Sequence, residues 1–300
     1  MEKDDMGNYE NGLPALRRIA AVHDISGFGK CSLTVALPII SAAGVECACM
    51  PTALLSTHTG GFTGYTFTDL SSEMLPIAKH WKKEGIAFDG VYSGYLASPE
   101  QGELLKGVFA EIVTSKTLVI IDPVMADHGE HYPGFDDRMT QTFRDLCPSA
   151  DVIIPNITEA SFMTGIPYME PPYTVEHIDR LMAALFELGP KAVALTGVQF
   201  AEDEVGVAAR LAGERESAYS FQKLREGHFH GSGDVFGSAF AALLVRGASI
   251  KSVIEASTEF VCASIDRTKT RGTPMHYGID FEGALPGFMK RVCEVFNREI

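Results

Sequence analysis

The stretch GSGDVFGSAF, residues 231–240, carries residue types that could bind and transfer a phosphoryl group. Gly231 and Gly233 would let the backbone come close to a ligand, and the helix that follows would offer free N–H groups to a developing anion. Asp234 stands at the start of that helix, where its carboxylate could accept a proton from an attacking hydroxyl. The same spacing fits an Asp that merely caps a tightly packed helix, so the residues alone leave both interpretations open.

Two further segments place oxygen ligands directly after predicted strands. Asp122 ends the strand TLVIID, and Asp127 lies in the loop that follows it. Asn156 and Glu159 follow the strand DVIIP and stand three residues apart at a predicted helix start. Oxygen ligands of this kind suit Mg²⁺, which takes waters and substrate phosphates as its remaining ligands. A Pro-Asn turn with a capping-box glutamate explains the second pair equally well.

Other strand ends carry residues that could contact a small ring-shaped ligand. Thr59 lies in STHTGG, Tyr95 lies in YSGYL, and Tyr132 ends the segment DHGEHY. Each of these positions follows a predicted strand, where polar and aromatic side chains could form the wall of a pocket. Tyrosine is also common in cores and at rims, so these residue types do not by themselves identify a ligand.

The pair His228 and His230, in the segment HFH, raises the question of a transition-metal site. A metal held by imidazoles needs three or four protein ligands, usually at short characteristic spacings. No third or fourth ligand follows at such a spacing, so the sequence does not favour a metal site here. His128 and His131 are explained equally well by ligand contact and by a solvated loop.

The segment HDISGFGKCSLT, residues 23–34, resembles a nucleotide-binding loop on first inspection. A Walker A loop needs Gly, four residues, and then Gly-Lys followed by Ser or Thr. Asp24 stands where the first glycine is required and Cys31 follows Lys30, so the pattern fails. The dinucleotide pattern G-x-G-x-x-G also fails, because its third glycine is absent. We therefore interpret Lys30 as an ordinary helix-start residue and expect the anion site at GSGD.

The elements that must position these residues alternate between strands and helices. Buried parallel strands are predicted at 18–23, 45–50, 90–94, 117–122, 151–155 and 192–197. Amphipathic helical stretches are predicted at 32–43, 70–84, 99–115, 135–146, 157–164, 174–188, 233–246, 249–266 and 281–297. Residues 204–222 alternate around a Gly-Glu turn, which predicts an antiparallel edge hairpin. The pattern predicts an α/β three-layer sandwich with a mainly parallel central sheet and helices on both faces.

Composition excludes several other classes of protein. The 300 residues have a formal net charge of −14 and no basic run, which argues against nucleic-acid binding. No apolar run reaches the 18 residues of a membrane span. Six scattered cysteines without C-x-x-C spacing are typical of reduced thiols, so we expect a cytoplasmic protein. We predict a flexible N-terminal tail at 1–16 and one domain at 17–300.

These motifs together resemble the ribokinase superfamily, and within it the branch of pyridoxal kinases and hydroxymethylpyrimidine kinases. The residues that carry the resemblance are HTG (58–60), SGYL (93–96), DPVM (122–125), the Pro-Asn before Glu159, and GSGD (231–234). They occur in the family's order, and the resemblance runs from about Arg18 to the final helix. It implies a ribokinase-like fold, ATP and Mg²⁺ as cofactors, and a homodimer. The sequence leaves open whether K⁺ is a further cofactor.

The resemblance also implies a role for each candidate residue. Asp234 would be the catalytic base, and Gly231, Ser232 and Gly233 would lead into the hole that stabilises the transferring phosphoryl group. The implied cofactor contacts are Asn156 and Glu159 to Mg²⁺ through waters, Asp122 and Asp127 near metal and phosphates, and Thr196 to ATP phosphates. The adenine would lie between the hairpin 205–222 and the helix 254–264. The implied substrate contacts are His23, Asp24, Ser26, Thr59, Tyr95 and Tyr132.

The implied activity is phosphorylation of the 5′-hydroxymethyl group of pyridoxal, pyridoxine or pyridoxamine. Hydroxymethylpyrimidine kinase stays open as an alternative, because Asp24-Ile25-Ser26-Gly27 is similar to the Asp-Pro-Ser-Gly of those enzymes. Ile154 and Pro155 also depart from the Thr that pyridoxal kinases often carry before Pro-Asn. A sugar kinase is less favoured, since the insert that forms a sugar lid is absent. A non-catalytic vitamer-binding protein on the same scaffold would have no need of Asp234.

Overall fold

The computed structural model describes residues 9, 10 and 13–296, and a nine-stranded β-sheet forms the centre of this part. Its parallel strands are β3 (Arg18–Ser26), β4 (Glu46–Leu55), β6 (Gly90–Ser93), β7 (Leu118–Ile121), β10 (Val152–Ile153) and β11 (Ala192–Val198). Its antiparallel strands are β5 (Phe67–Asp69), β12 (Glu204–Leu211) and β13 (Ala218–Lys223). Two small separate pairs join β1 (Tyr9–Glu10) to β2 (Leu13–Pro14) and β8 (Ala126–Asp127) to β9 (Glu130–His131).

The order of the strands creates a crevice at one edge of the sheet. Across the sheet the order is β13-β12-β11-β10-β7-β6-β3-β4-β5. The chain begins this sheet at β3, adds β4 on one side and then crosses over to add β6 on the other. Connections leave the carboxyl ends of β3 and β6 in opposite directions, and in open α/β sheets such a switch point is where ligands bind.

Helices cover both faces of the sheet and make the fold three-layered. They are α1 (Leu33–Ala42), α2 (Ser71–Lys83), α3 (Pro99–Ile112), α4 (Asp137–Leu146), α5 (Ile157–Thr164), α6 (Val175–Phe186), α7 (Ser232–Val245), α8 (Ile250–Arg271) and α9 (Leu285–Phe296). Side chains alternate between the faces of each strand, so β3 sends Ile19 to one core and Ala20 to the other. The first core contains residues of α1, α7, α8 and α9, and the second contains residues of α2 to α6.

Local signals fix where the helices begin and end. The Ser249 side chain accepts a hydrogen bond from the N–H of Ser252 at the start of α8, which satisfies one of the free donors of a helix N-terminus. That helix ends at Gly272, whose left-handed backbone (φ 66°) suits a residue without Cβ. Asn156 and Glu159 form a complete capping box at the start of α5, and Gly165 ends it.

The structure confirms the predicted fold class. All six predicted parallel strands, the edge hairpin and all nine helices are present within a few residues of their expected bounds. Patterning did not predict β5, which has three residues, all exposed. The predicted tail, residues 1–16, lies largely outside the described residues, and the division into tail and domain stays a prediction. In the described part of the chain, no helix combines the length and apolar character needed to cross a membrane.

Candidate active site

A cavity of about 690 Å³ opens at the carboxyl ends of the parallel strands. The predicted residues that line it are Asp24, Ser26, Thr59, Tyr95, Asp122, Asp127, Tyr132, Asn156, Glu159, Thr196, Gly231, Ser232, Gly233 and Asp234. They come from separate parts of the chain and meet because parallel strands end at the same edge of a sheet. The volume falls within the range of small-molecule sites.

Because the strands lie side by side in the sheet, the residues that line the cavity form a row along the ends of the strands. Residues that follow β3, β4 and β6 lie at one end of the cavity, and residues of β11, β12 and α8 lie at the other. Residues that follow β7 and β10 therefore lie between the two ends. Because β3 and β12 are separated by five strand spacings, the ends are roughly 24 Å apart. A row of this length accommodates two ligands side by side.

The GSGD turn forms the start of α7. Gly231 occupies the N-cap position with a left-handed backbone (φ 79°), and no side chain caps this end of the helix. A Cβ added to Gly231 would lie only 2.2 Å from the carbonyl oxygen of Lys30, so this position has room for glycine alone. The Ser232 N–H donates to the Phe229 carbonyl at 3.4 Å, whereas the N–H groups of Gly233 and Asp234 are left to a ligand, and the helix end attracts negative charge.

Asp234 has the electrostatics expected of a general base. Burial, and then the charge of Asp24, raise the pKa of Asp234 to about 7. The main-chain N–H of Ser32 and the thiol of Cys31 lower the pKa and offset part of this rise. A pKa near neutrality lets a carboxylate take up a proton during a reaction at physiological pH.

The loop that carries Ser32 has an unusual backbone. Lys30 (φ 57°) and Ser32 (φ 59°) both have positive φ, and Gly29 precedes them at φ 111°. Such backbone in residues other than glycine costs free energy and persists only where surrounding contacts fix it. Here the loop places Ser32 beside Asp234. Lys30 points elsewhere and forms an ion pair with Glu282 at 2.7 Å, in agreement with its interpretation as a residue outside the anion site.

Two buried carboxyl groups lie in the middle of the row. Burial and then the charge of Asp234 raise the pKa of Asp122 well above its usual range. Burial and then the charge of Asp122 raise the pKa of Glu159 well above its usual range. Each oxygen of Glu159 accepts a main-chain hydrogen bond, Oε2 from Asn156 (2.8 Å) and Oε1 from Met125 (3.2 Å). These bonds leave Glu159 better placed to hold the waters of a metal ion than the ion itself.

Each polar atom of the Asn156 side chain makes one hydrogen bond within the protein. Its Oδ1 accepts from the N–H of Glu159 at 2.9 Å, and its Nδ2 donates to the carbonyl of Ala126 at 2.8 Å. The capping-box interpretation of this pair is therefore correct. The box also holds Glu159 and the main chain before Asp127 in place.

The charge balance of the cavity fits a divalent cation. Five carboxyl groups line it, those of Asp24, Asp122, Asp127, Glu159 and Asp234. Among the described lining residues, Arg225 is the one lysine or arginine, and it already pairs with Asp266 at 2.7 Å. Buried carboxylates need compensation by a cation, and an all-oxygen donor set suits Mg²⁺.

The end of the cavity near β3 is polar and aromatic. The Ser26 hydroxyl donates to Asp24 Oδ2 at 2.8 Å, and burial raises the pKa of Asp24. Tyr95 stacks on Phe135 with ring centroids 5.5 Å apart, and burial raises its pKa to about 12. His23 does not line the cavity, because its ring is buried in the core against Tyr92 at 4.4 Å.

The opposite end is largely apolar. It is lined by Val205, Gly206 and Val207 of β12 and by Thr258, Val261, Cys262 and Ile265 of α8. These residues lie within or beside the hairpin and helix that were expected to flank an adenine. Thr196 lies at the inner border of this end, where its hydroxyl donates to the carbonyl of Pro155 at 3.4 Å.

Four histidines form a row across the mouth of the cavity, and the sequence analysis did not predict that they lie together. The ring centroids of His58 and His230 are 5.2 Å apart, those of His230 and His228 are 5.1 Å apart, and those of His228 and His128 are 5.0 Å apart. Burial and the neighbouring histidines lower the pKa of His230 to about 4, so this ring is neutral at neutral pH. The segment HFH was the one local signal of this row.

Comparison with known proteins identifies the family. The family model described as phosphomethylpyrimidine kinase matches residues 36–278. The chain belongs to this family. The membership confirms the family assignment made from the sequence motifs.

Known proteins of this kinase family are similar to this chain over different shares of its length. Pyridoxine kinase of Bacillus subtilis is 30% identical over 184 residues, which are 61% of this chain and 65% of that protein, slightly less than two thirds. A crystal structure of a putative phosphomethylpyrimidine kinase from Bacteroides thetaiotaomicron superposes with a TM-score of 0.87 at 34% identity, covering 94% of this chain and 96% of that one.

Two further crystal structures bear on the ligand. An orthorhombic form of the Bacteroides thetaiotaomicron protein, with pyridoxal, gives a TM-score of 0.86 at 33% identity and covers 91% of this chain and 96% of that one. Pyridoxal kinase from Lactobacillus plantarum superposes with a TM-score of 0.84 at 29% identity, and the similarity covers 93% of this chain and 99% of that one. These similarities extend over nearly the whole chain and confirm its architecture.

Substitutions at the two glycines of the turn should have different effects on stability. We expect Gly231→Ala to lower the free energy of unfolding by at least about 1 kcal/mol, because its Cβ meets the Lys30 carbonyl and its backbone is left-handed. Gly233→Ala should stay within about 0.5 kcal/mol of the wild type, because a Cβ there meets open space. Urea unfolding measures both, and equal losses would contradict this account of the turn.

The raised pKa of Asp234 makes a second prediction. The folded protein keeps this proton up to about pH 7, whereas the unfolded chain releases it near the ordinary pKa of 3.8, so ionisation of Asp234 destabilises the fold as pH rises through this window. We expect Asp234→Asn to raise the melting temperature by about 2 °C or more at pH 8 and by much less at pH 5. A gain of the same size at both pH values would show that charge is not its cause.

Proposed function

We propose that this protein is an ATP- and Mg²⁺-dependent kinase that phosphorylates the 5′-hydroxymethyl group of pyridoxal, pyridoxine or pyridoxamine. The observation that carries the proposal is the position of Asp234. Its carboxyl group, with a pKa of about 7, stands at an uncapped helix N-terminus between a polar aromatic end and an apolar end of one cavity. A proton acceptor and an anion site are therefore next to each other where two ligands would meet.

The two ends of the cavity suit the two substrates. The apolar cleft between β12 and α8 fits a flat purine, and the first turn of α7 fits the polyphosphate that follows it. Asp24 and Ser26 offer hydrogen bonds to the polar edge of a small heteroaromatic ring, and Tyr95 offers a flat wall. The similar Bacteroides thetaiotaomicron protein crystallised with pyridoxal supports a ring of this chemistry.

Phosphoryl transfer then asks mainly for positioning and charge stabilisation. Asp234 accepts the proton of the substrate hydroxyl while the hydroxyl oxygen forms its bond to the γ-phosphorus. The bond from that phosphorus to the bridging oxygen breaks, and ADP leaves with the electron pair. N–H groups of Gly233 and Asp234 at the helix start stabilise the negative charge of the transferring group.

The carboxyl groups in the middle of the row have a supporting role. Asp122 and Glu159, with Asp127 beside them, would hold the metal ion, Glu159 through its waters. When bound, Mg²⁺ supplies positive charge that neutralises the phosphates. The protein contributes the fixed geometry, since the capping box holds Glu159 and buried Tyr92 packs beside Asp122.

A second activity, hydroxymethylpyrimidine kinase, is supported by two observations. The family model that matches residues 36–278 is that of phosphomethylpyrimidine kinases. Asp24 and Ser26, which line the ring end, also belong to the Asp-Ile-Ser-Gly segment that resembles the Asp-Pro-Ser-Gly of hydroxymethylpyrimidine kinases. Both rings carry a nitrogen and a hydroxymethyl group, so the same wall of Asp24 and Ser26 could hold either. The order of preference is a question for direct measurement.

Replacing the general base should separate chemistry from binding. We expect Asp234→Asn to lower kcat by about 10²- to 10⁴-fold while the Kd for ADP, measured by calorimetry, stays near that of the wild type. The wild-type kcat/KM should fall as pH drops below about 7, because Asp234 then carries a proton. Asp203→Asn, at an exposed position outside the cavity, is the matched control. Near-normal turnover of Asp234→Asn would remove Asp234 from the role of base.

A substrate panel tests the function itself. Purified protein with ATP and Mg²⁺ is assayed for ADP release with pyridoxal, pyridoxine, pyridoxamine and hydroxymethylpyrimidine. We expect the highest kcat/KM for one of the three vitamers. Preference for hydroxymethylpyrimidine would select the second activity, and vitamer binding without ADP release would identify a binding protein on a kinase fold.

A further inference from the structure

Three metal-binding side chains from two distant segments meet at the mouth of the cavity. Asp127 is the last residue of β8 and His128 begins the turn to β9, whereas His228 lies in the loop before α7, 100 residues away from His128. The Nε2 atom of His128 lies 3.1 Å from Nδ1 of His228 and 3.6 Å from Oδ2 of Asp127. The three ligand atoms all lie within 4.8 Å of one another.

These separations are those of ligands around one small cation. Zinc binds imidazole nitrogen and carboxylate oxygen at about 2.0–2.2 Å, so two ligand atoms at a tetrahedral angle lie roughly 3.3–3.5 Å apart. The carboxylate is also oriented for this role. Asp127 Oδ1 accepts the main-chain N–H of His128 at 2.9 Å, which leaves Oδ2 as the oxygen facing the imidazole.

The turn holds His128 in a backbone conformation that is unfavourable for residues other than glycine. His128 (φ 49°) and Gly129 (φ 78°) both have positive φ, as a two-residue hairpin turn requires. Asn-Gly is the favoured pair at such positions, because Asn tolerates the left-handed backbone better than most residues. A histidine there, with its ring against His228, is an outlier that invites a functional explanation.

We propose that Asp127, His128 and His228 form a binding site for Zn²⁺ or a similar divalent transition metal. Two imidazoles and one carboxylate favour such ions over Mg²⁺, which prefers oxygen ligands. Three protein ligands leave a fourth position open, and since all three side chains line the cavity, that position faces its interior. A bound ion cross-links the β8–β9 turn to the segment that leads into GSGD.

Sequence spacing could not reveal this site. His228 and His230 are close in sequence, but the partners that the fold brings to His228 are residues 127 and 128. No further ligand follows HFH at a short sequence spacing, and the candidate ligands come from a distant part of the chain. Chain folding supplies the missing ligands from the loop after β7.

The test measures metal binding without nucleotide or vitamer, so it does not depend on the proposed kinase activity. ZnCl₂ is titrated into the Mg²⁺-free protein by calorimetry. We expect His128→Asn and His228→Gln each to weaken binding at least about 10-fold. His128→Asn preserves the Asn-Gly preference of the turn, so it removes the ligand without straining the backbone. His80→Gln, on the exposed face of α2, is the control and should bind as the wild type.

A spectroscopic measurement distinguishes this site from the six free cysteines. Co²⁺ bound at the proposed site should give visible d–d bands without a thiolate charge-transfer band. At the same metal concentration, these d–d bands and the Zn²⁺-dependent rise in melting temperature should be smaller in the two histidine variants. Absence of Zn²⁺ binding by the wild type would overturn the proposal. So would unchanged affinity in both variants, or a thiolate band that persists in them.

Discussion

The accumulation of carboxyl groups around one cavity is the constraint on which the site depends. Five acidic side chains line the cavity, and the one arginine among the described lining residues is already paired. Burial raises the pKa values of Asp24, Asp122, Glu159 and Asp234, and repulsion by a neighbouring carboxylate adds to the rise for Asp122, Glu159 and Asp234. Such a cluster costs stability in the free protein, and proteins tolerate that cost where function requires it. The fold supports it with two packed cores and a capping box.

Much of the fold was predictable because its signals are local. The spacing of apolar residues, alternating in strands and every three to four residues in helices, indicates which face of each element is buried. The strands of a parallel sheet are continuous runs of apolar residues. The same reasoning located most of the site, since residues that directly follow such strands, for instance Asp122 and Asn156, must meet at one edge. The short edge strand β5 escaped prediction, because an exposed segment of three residues carries no burial pattern.

What could not be predicted depends on contacts between distant residues. His23 follows the same apolar run as Asp24, but alternation turns its ring into the core against Tyr92 and Gly94. The positive φ angles of Lys30 and Ser32, which bring Ser32 to Asp234, cannot be predicted from these two residue types. The row of four histidines at the mouth joins three segments of the chain, and only His228 and His230 are close in sequence.

The contact between the loop at residues 29–32 and two glycines has a consequence for engineering. Gly231 lies against the carbonyl of Lys30, and Gly278 lies as tightly against the carbonyl of Gly29. The loop at residues 29–32 is thus packed against both Gly231 and Gly278. Neither glycine position leaves space for a Cβ. A loop transplanted from a relative with another substrate would have to arrive together with compatible residues at 231 and 278. The loop and the two glycines would therefore have to be exchanged together.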